Sequence, residues 1–129
     1  MLATRRRSEA GAAVVDVVLV IVVLVPLVLG ILQVALVLHV RNTLASAAAE
    51  GARYAAAQGR SPQDGESRTR AQVEDAISGR FADDITVRRV MLGGAPTIEV
   101  VIAAEVPPLG LGGPGIDLEV VGHATQELP

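Results

Sequence analysis

A single carboxylate at the mouth of an uncharged apolar run is the residue whose type and position most demand a chemical explanation. Asp16 directly precedes Val17–Leu38, 22 consecutive residues without a charge, nearly all Val, Leu or Ile and interrupted by Pro26, Gly30 and Gln33. A carboxylate at mid-membrane costs about 2.5 to 3.5 kcal/mol and less at the edge, so it is either tolerated at the interface or paired. No basic side chain follows it before Arg41. A cut between Gly11 and Ala12 would create a partner, because Ala12 would gain a free α-ammonium and Asp16 would become the fifth residue of the new chain. Four positions make about one helical turn, which places ammonium and carboxylate on one face, within a subunit or between neighbours. The chemistry available here is ion pairing in a low dielectric.

The other reactive residue types form no such constellation. His39 and His123 are 84 positions apart with no metal-spaced partner, no Ser sits in a G-x-S-x-G context, and Cys is absent. His39 reads as an interfacial residue and His123 as a strand surface residue. Gly110-Leu111-Gly112-Gly113-Pro114-Gly115 matches G-x-G-x-x-G by letter. That fingerprint needs a strand before it and a helix after it, with backbone N–H groups facing a pyrophosphate, whereas here Pro114 removes a donor and a strand pattern follows. No catalytic residue, cofactor, metal site or small-molecule substrate is expected, and the chain is not read as an enzyme.

Charge narrows the partners. The net charge is −3, and all eleven basic residues are Arg. Residues 39–129 carry eight Arg against twelve Asp and Glu, while Arg5, Arg6 and Arg7 cluster ahead of the apolar run. An acidic outer part argues against nucleic acid, since phosphate binding needs a basic face. Hydrophobic residues make up 50% of the chain but aromatics only 2%, namely Tyr54 and Phe81. That aliphatic bias belongs to a membrane segment more than to the core of a soluble domain.

The 22-residue run makes a helix of about 33 Å, enough to cross a hydrocarbon core of about 30 Å once. Helix is the sole option for a single crossing, because backbone groups in lipid must be satisfied within the segment. The three leading Arg place the N-terminus in the cytoplasm and residues 59–129 outside it. The competing reading is a cleaved signal peptide with a small-x-small site at Ala45-Ser46-Ala47. Signal h-regions run about 7 to 15 residues and end close to the cut, whereas this run is longer and is followed by His39, Arg41 and Asn42.

At 100° per residue, Pro26, Gly30, Gln33, Val37 and Arg41 fall within about 100° of Asp16 on one side of the helix. Gly permits close backbone approach and Gln can bond across helices, so Pro26, Gly30 and Gln33 are the candidate helix-packing face. The alternative is a lipid-facing helix merely bent at Pro26 and Gly30.

An ordered series of motifs now stands along the first third of the chain: a basic leader, Gly11-Ala12-Ala13-Val14-Val15-Asp16, Leu24-Val25-Pro26-Leu27, Gly30-Ile31-Leu32-Gln33, Arg41-Asn42-Thr43-Leu44, Ala47-Ala48 and Glu50-Gly51-Ala52-Arg53. In this order and spacing the sequence resembles the TadE-like family, pilin-like single-pass proteins of the Tad (Flp) pilus and secretion machinery. The resemblance implies processing by a prepilin-type peptidase after Gly11, assembly around the acidic residue Asp16, and a role as a minor, pseudopilin-type subunit of a surface pilus or pilus-like export apparatus. Its partners would be that peptidase, other pilin-like subunits, Tad membrane components and the lipid bilayer. One departure is Asp16 itself, where the family usually has Glu, one methylene longer. The reading from a different class is a secreted or membrane-anchored binding domain whose N-terminus serves only as signal or anchor.

Beyond the membrane, the alanine-rich stretch to Gln58 extends the helix, so residues 12–58 read as one rod after a leader at 1–11. Ala45, Ala48, Ala49, Ala52, Ala55 and Ala56 form a small-residue stripe, packed against neighbouring rods or against this chain's own sheet, the second being favoured. Glu50 and Arg53 form a solvated i,i+3 pair. Residues 59–66 read as a polar loop, followed by a short helix with Val73, Ala76, Ile77 and Phe81 on one face. Alternation from Ile85 to Leu92 and from Ile98 to Val106 around Gly93-Gly94-Ala95-Pro96 predicts a β-hairpin, and Ile116–Gln126 a third strand. The expected fold is α+β: an N-terminal transmembrane helix continuing into an extended helix, then a small head of one short helix and a three-stranded antiparallel sheet over residues 59–129.

Overall fold

A computed structural model describes the backbone of residues 2–110 and 112–128 and the side chains from Arg6 onward. Met1 and the Arg5 side chain of the leader, and Leu111 of the glycine-rich loop, lie outside the described residues. One helix, α1, runs from Leu2 to Ala56. Its 55 residues span about 82 Å at 1.5 Å each. Residues 2–11 are part of the same helix, and Pro26 sits inside it, withholding one N–H from the ladder. The helix stops two residues short of Gln58, and Gly59 turns the chain at φ +78. Glu127 closes this end by donating its N–H to the Ala56 carbonyl at 2.9 Å, satisfying an acceptor that the helix leaves orphaned.

The second helix, α2, is Pro62–Ala76, so the expected polar loop at 59–66 is largely helical. Ser61 caps it. Its hydroxyl accepts from the Asp64 N–H while the Asp64 carboxylate accepts from the Ser61 N–H at 2.7 Å, a capping box with Pro62 at the first helical position. The helix ends before Phe81, which lies instead in a separate 3-10 turn, Gly79–Ala82.

Strands β1 (Asp84–Leu92), β2 (Ala95–Val106) and β3 (Ile116–Thr125) form an antiparallel sheet in the order β1-β2-β3. Gly93 and Gly94 alone make the first turn, with φ of +57 and +80, a conformation that costs other residues a steric penalty. Ala95 and Pro96, expected in the turn, pair with Leu92 and Met91. Ile98, Val100, Ile102 and Val106 of β2, Val120 of β3 and Ile85 of β1 are buried beneath α1 and α2, with Val73 and Phe81. Ile116 is 42% exposed at the start of β3.

Candidate functional site

The two halves of α1 have opposite environments. From Val40 to Ala56 one face is sealed by the chain's own head: Val40, Leu44, Ala47, Ala48, Ala52, Ala55 and Ala56 are buried. Small residues are required there because the head's backbone approaches α1 closely. An added Cβ at Gly122 of β3 would lie 2.5 Å from the Ala48 carbonyl carbon. An added Cβ at Gly65 of α2 would lie 2.5 Å from the Ala55 Cβ, and one at Gly51 would run into the Thr69 hydroxyl. The small-residue stripe thus packs on this chain's own sheet and second helix, with Ala47 buried in place of Ala45, which is exposed. Glu50 pairs with Arg53 at 3.6 Å as the spacing predicts, and also with Arg68 at 3.4 Å.

From Val14 to Leu32 almost nothing covers the helix. Val23 is 69% exposed, and every Val, Leu and Ile in this stretch is at least partly bare apart from Leu29, which is half-buried. The helix qualifies by length and composition as a membrane span. Gly11 has open space around it and is exposed, as are Ala12 and Asp16. Among the described residues Asp16 takes part in no ion pair. Pro26, Leu27, Gly30, Ile31 and Val34 line a shallow apolar groove, and nothing lies within 4 Å of where a Cβ on Gly30 would be. Pro26 and Gly30 therefore share an open face about three and four turns beyond Asp16, on an uninterrupted helix.

Gln33 does not belong to that open face. The sequence reading gave its amide to a neighbouring helix. Here its Nε2 donates to the Pro107 carbonyl at 3.2 Å and its Oε1 accepts the Leu109 N–H at 2.8 Å. The stripe Asp16–Pro26–Gly30–Gln33–Val37 is one continuous face whose upper part the head takes and whose lower part is left bare. Leu36 and Val37 pack against the head's core.

On the outer face of the sheet, Glu99 pairs in register with Arg88 on one side and His123 on the other. Its carboxylate accepts from Arg88 Nε at 2.5 Å and meets His123 Nε2 at 2.9 Å. The His123 bond first, then the Arg88 bond, holds the Glu99 carboxyl below its ordinary pKa. Sequence reading missed this triplet and took His123 as a simple surface residue. The signal was the opposed register of three ionisable residues, which needs the pairing to be known. His39 is exposed on α1, its carbonyl accepting from Thr43 Oγ1 at 2.9 Å. Among the described residues no group of three or more His, Asp or Glu is placed to hold a metal ion.

Residues 11–53 match the family model described as TadE-like protein. The match begins at the glycine before the bare half of α1 and ends within the part that the head covers. No curated protein and no solved structure matches the chain.

Proposed function

We propose that this chain, TadE-like along residues 11–53, is a single-pass pilin-like subunit of a Tad-type (Flp) pilus or export apparatus that works by assembly through the bare half of α1. A prepilin-type peptidase removes the leader after Gly11. The new Ala12 ammonium and Asp16, one turn apart, then pair within the membrane, and the groove at Pro26 and Gly30 receives a neighbouring helix, where the missing side chain lets backbones approach. The N-terminus faces the cytoplasm and the head lies outside.

The observation that carries this reading is the division of one helix face into a covered upper part and an uncovered lower part that holds the glycine, the carboxylate and the groove. A secreted domain released after Ala47 is disfavoured on the same ground. That cut would strip Val40, Leu44 and Ala47, all at most 1% exposed, out of the head's core. Loss of one such Leu side chain already costs about 2 to 5 kcal/mol, a large part of the stability of a small domain.

The intact mass of protein purified from membranes of cells that carry a Tad system tests the proposal. A chain beginning at Ala12 supports it. A chain beginning after Ala47 refutes it in favour of the secreted domain, and an uncut chain refutes the processing step.

A further inference from the structure

We infer that the loop joining β2 to β3 is a membrane-contacting element that seats the head on the outer leaflet of the bilayer. This rests on α1 crossing the membrane and adds a second, non-helical contact. Residues 106–116, Val-Pro-Pro-Leu-Gly-Leu-Gly-Gly-Pro-Gly-Ile, contain no charge and no polar side chain. The charges resume at both ends on one level, because Glu105 and Asp117 are directly opposed across β2 and β3 and both are exposed. Two like charges in opposed register carry a small cost. Together they mark a waterline that takes in Gly115, against which the Glu105 carboxylate lies, and the described loop residues before Gly115 lie beyond it.

The height of the loop along α1 fixes what it meets. β3 runs alongside α1 in the same direction, with Gly122 against Ala48 and Glu127 against Ala56, so the start of β3 and the loop point towards the N-terminal half of the helix. Gln33 binds the loop at Pro107 and Leu109. At that level the rest of the helix is still apolar and bare, with Val34 60% and Leu32 51% exposed. If the span were Val17–Leu38, the loop would sit several ångströms inside the hydrocarbon. If the span is shifted to Ala12–Leu32, 21 residues and about 31 Å, the loop lies at its outer edge. The second register keeps the loop's glycine N–H groups within reach of water and head groups while putting lipid against its apolar side chains.

The backbone of the loop fits the interface, where water and head groups serve the N–H groups of Gly110, Gly112, Gly113 and Gly115, which have no backbone partner among the described residues. Pro107, Pro108 and Pro114 have no N–H to leave unsatisfied, and Gln33 takes that of Leu109. Pro108 is exposed and Ile116 is 42% exposed, so apolar surface of the loop is open to its surroundings.

The chain has no Trp, so single Trp substitutions report on one site each. Full-length Val23→Trp, Pro108→Trp, Ile116→Trp and Met91→Trp are reconstituted in phosphatidylcholine vesicles without bromine, with bromine on the upper acyl chain (read at positions 108, 116 and 91), and with bromine near the terminal methyl (read at position 23). Met91 lies beside the Gly93-Gly94 turn, at the far end of the sheet. The expected result is blue-shifted emission and loss of about half the signal to bromine at positions 108 and 116, since each leaflet contributes roughly 15 Å of hydrocarbon, with Met91→Trp unchanged. Quenching of Val23→Trp alone overturns the inference and leaves the spanning helix standing. No quenching of Val23→Trp overturns both. A blue shift at 108 and 116 that rises with protein density but not with bromine also overturns the inference, assigning the loop to contact between copies.

Discussion

Gln33 and Leu109, 76 positions apart, are joined by a 2.8 Å hydrogen bond from the Leu109 N–H to the Gln33 side-chain oxygen, and the same amide donates to the Pro107 carbonyl. A side chain in the apolar half of the helix is thereby committed to the head. Gln33 ties the head to α1 at the border between the part of the helix that the head covers and the part that it leaves mostly bare.

Gln33→Leu keeps the size and removes both bonds, leaving a carbonyl and an N–H without partners. A buried group left unpaired costs about 1 to 3 kcal/mol. Unfolding of the variant in detergent micelles is expected to show a loss in that range, together with faster hydrogen exchange at the Leu109 amide. An unchanged exchange rate would mean that the Gln33 bond does not hold the loop.

Gly122→Val and Gly30→Ala form a contrasting pair. At Gly122 a Cβ would collide with the Ala48 backbone, and overpacking of this kind costs about 1 to 3 kcal/mol or more. At Gly30 no atom of the chain stands in the way, and Ala is the better helix former by about 1 kcal/mol in water. Thermal unfolding is expected to fall sharply for the first and to hold for the second, while Gly30→Ala weakens association between subunits. Equal behaviour of the two would remove the distinction between a folding half and an assembly half.

Glu99 gives the head an acid-side pH dependence. Its carboxyl pKa is lowered in the folded state, chiefly by the bond from His123 and then by that from Arg88. A depressed carboxylate contributes stability that is fully present above the unfolded value of about 4.3 and is lost as pH falls through the lower folded value. Glu99→Gln is therefore expected to flatten the denaturation midpoint between about pH 5 and pH 2 relative to the parent chain. A parallel shift at all pH values would assign Glu99 a packing role alone.

Ser61→Ala removes the hydroxyl cap of α2 and the lesser of the two bonds that hold the Asp64 carboxyl below its ordinary pKa, keeping the larger one, from the Ser61 N–H. A loss of about 1 kcal/mol is expected in chemical denaturation.

The parts of this fold that were readable in the sequence are those whose signal is local. The apolar run announced α1, and strict alternation announced the three strands, because a period of two survives without knowledge of partners. Ser61–Asp64 was also local but passed as loop, since Asp stands where the capping box more often has Glu or Gln. Phe81 was joined to α2 by spacing, yet α2 stops at Ala76 and Ser78 caps a separate turn that carries Phe81. The Gln33 pairing could not be read, because its partners are backbone groups 74 and 76 positions away in a loop without side-chain polarity. Gly122, lying between the inward-facing Val120 and Ala124, was the legible sign of a close backbone approach that the strand pattern passed over. Of the residues proposed for processing and assembly, Gly11, Asp16, Pro26 and Gly30 were singled out by their spacing along one helix. The fold adds that their face is left uncovered by the chain itself.

Cross-linking through single cysteines tests the central claim most directly, because the chain has none of its own. Gly30→Cys lies on the Asp16 face and Ile21→Cys roughly opposite it, at 100° per residue. In membranes containing the Tad components, a short bifunctional maleimide is expected to link Gly30→Cys to neighbouring helices, to leave Ile21→Cys largely unlinked, and to lose the Gly30 product when Asp16→Asn is added although membrane insertion is unchanged. Equal linking from both faces, or linking at Gly30 that ignores Asp16→Asn, would contradict assembly through this face of the helix.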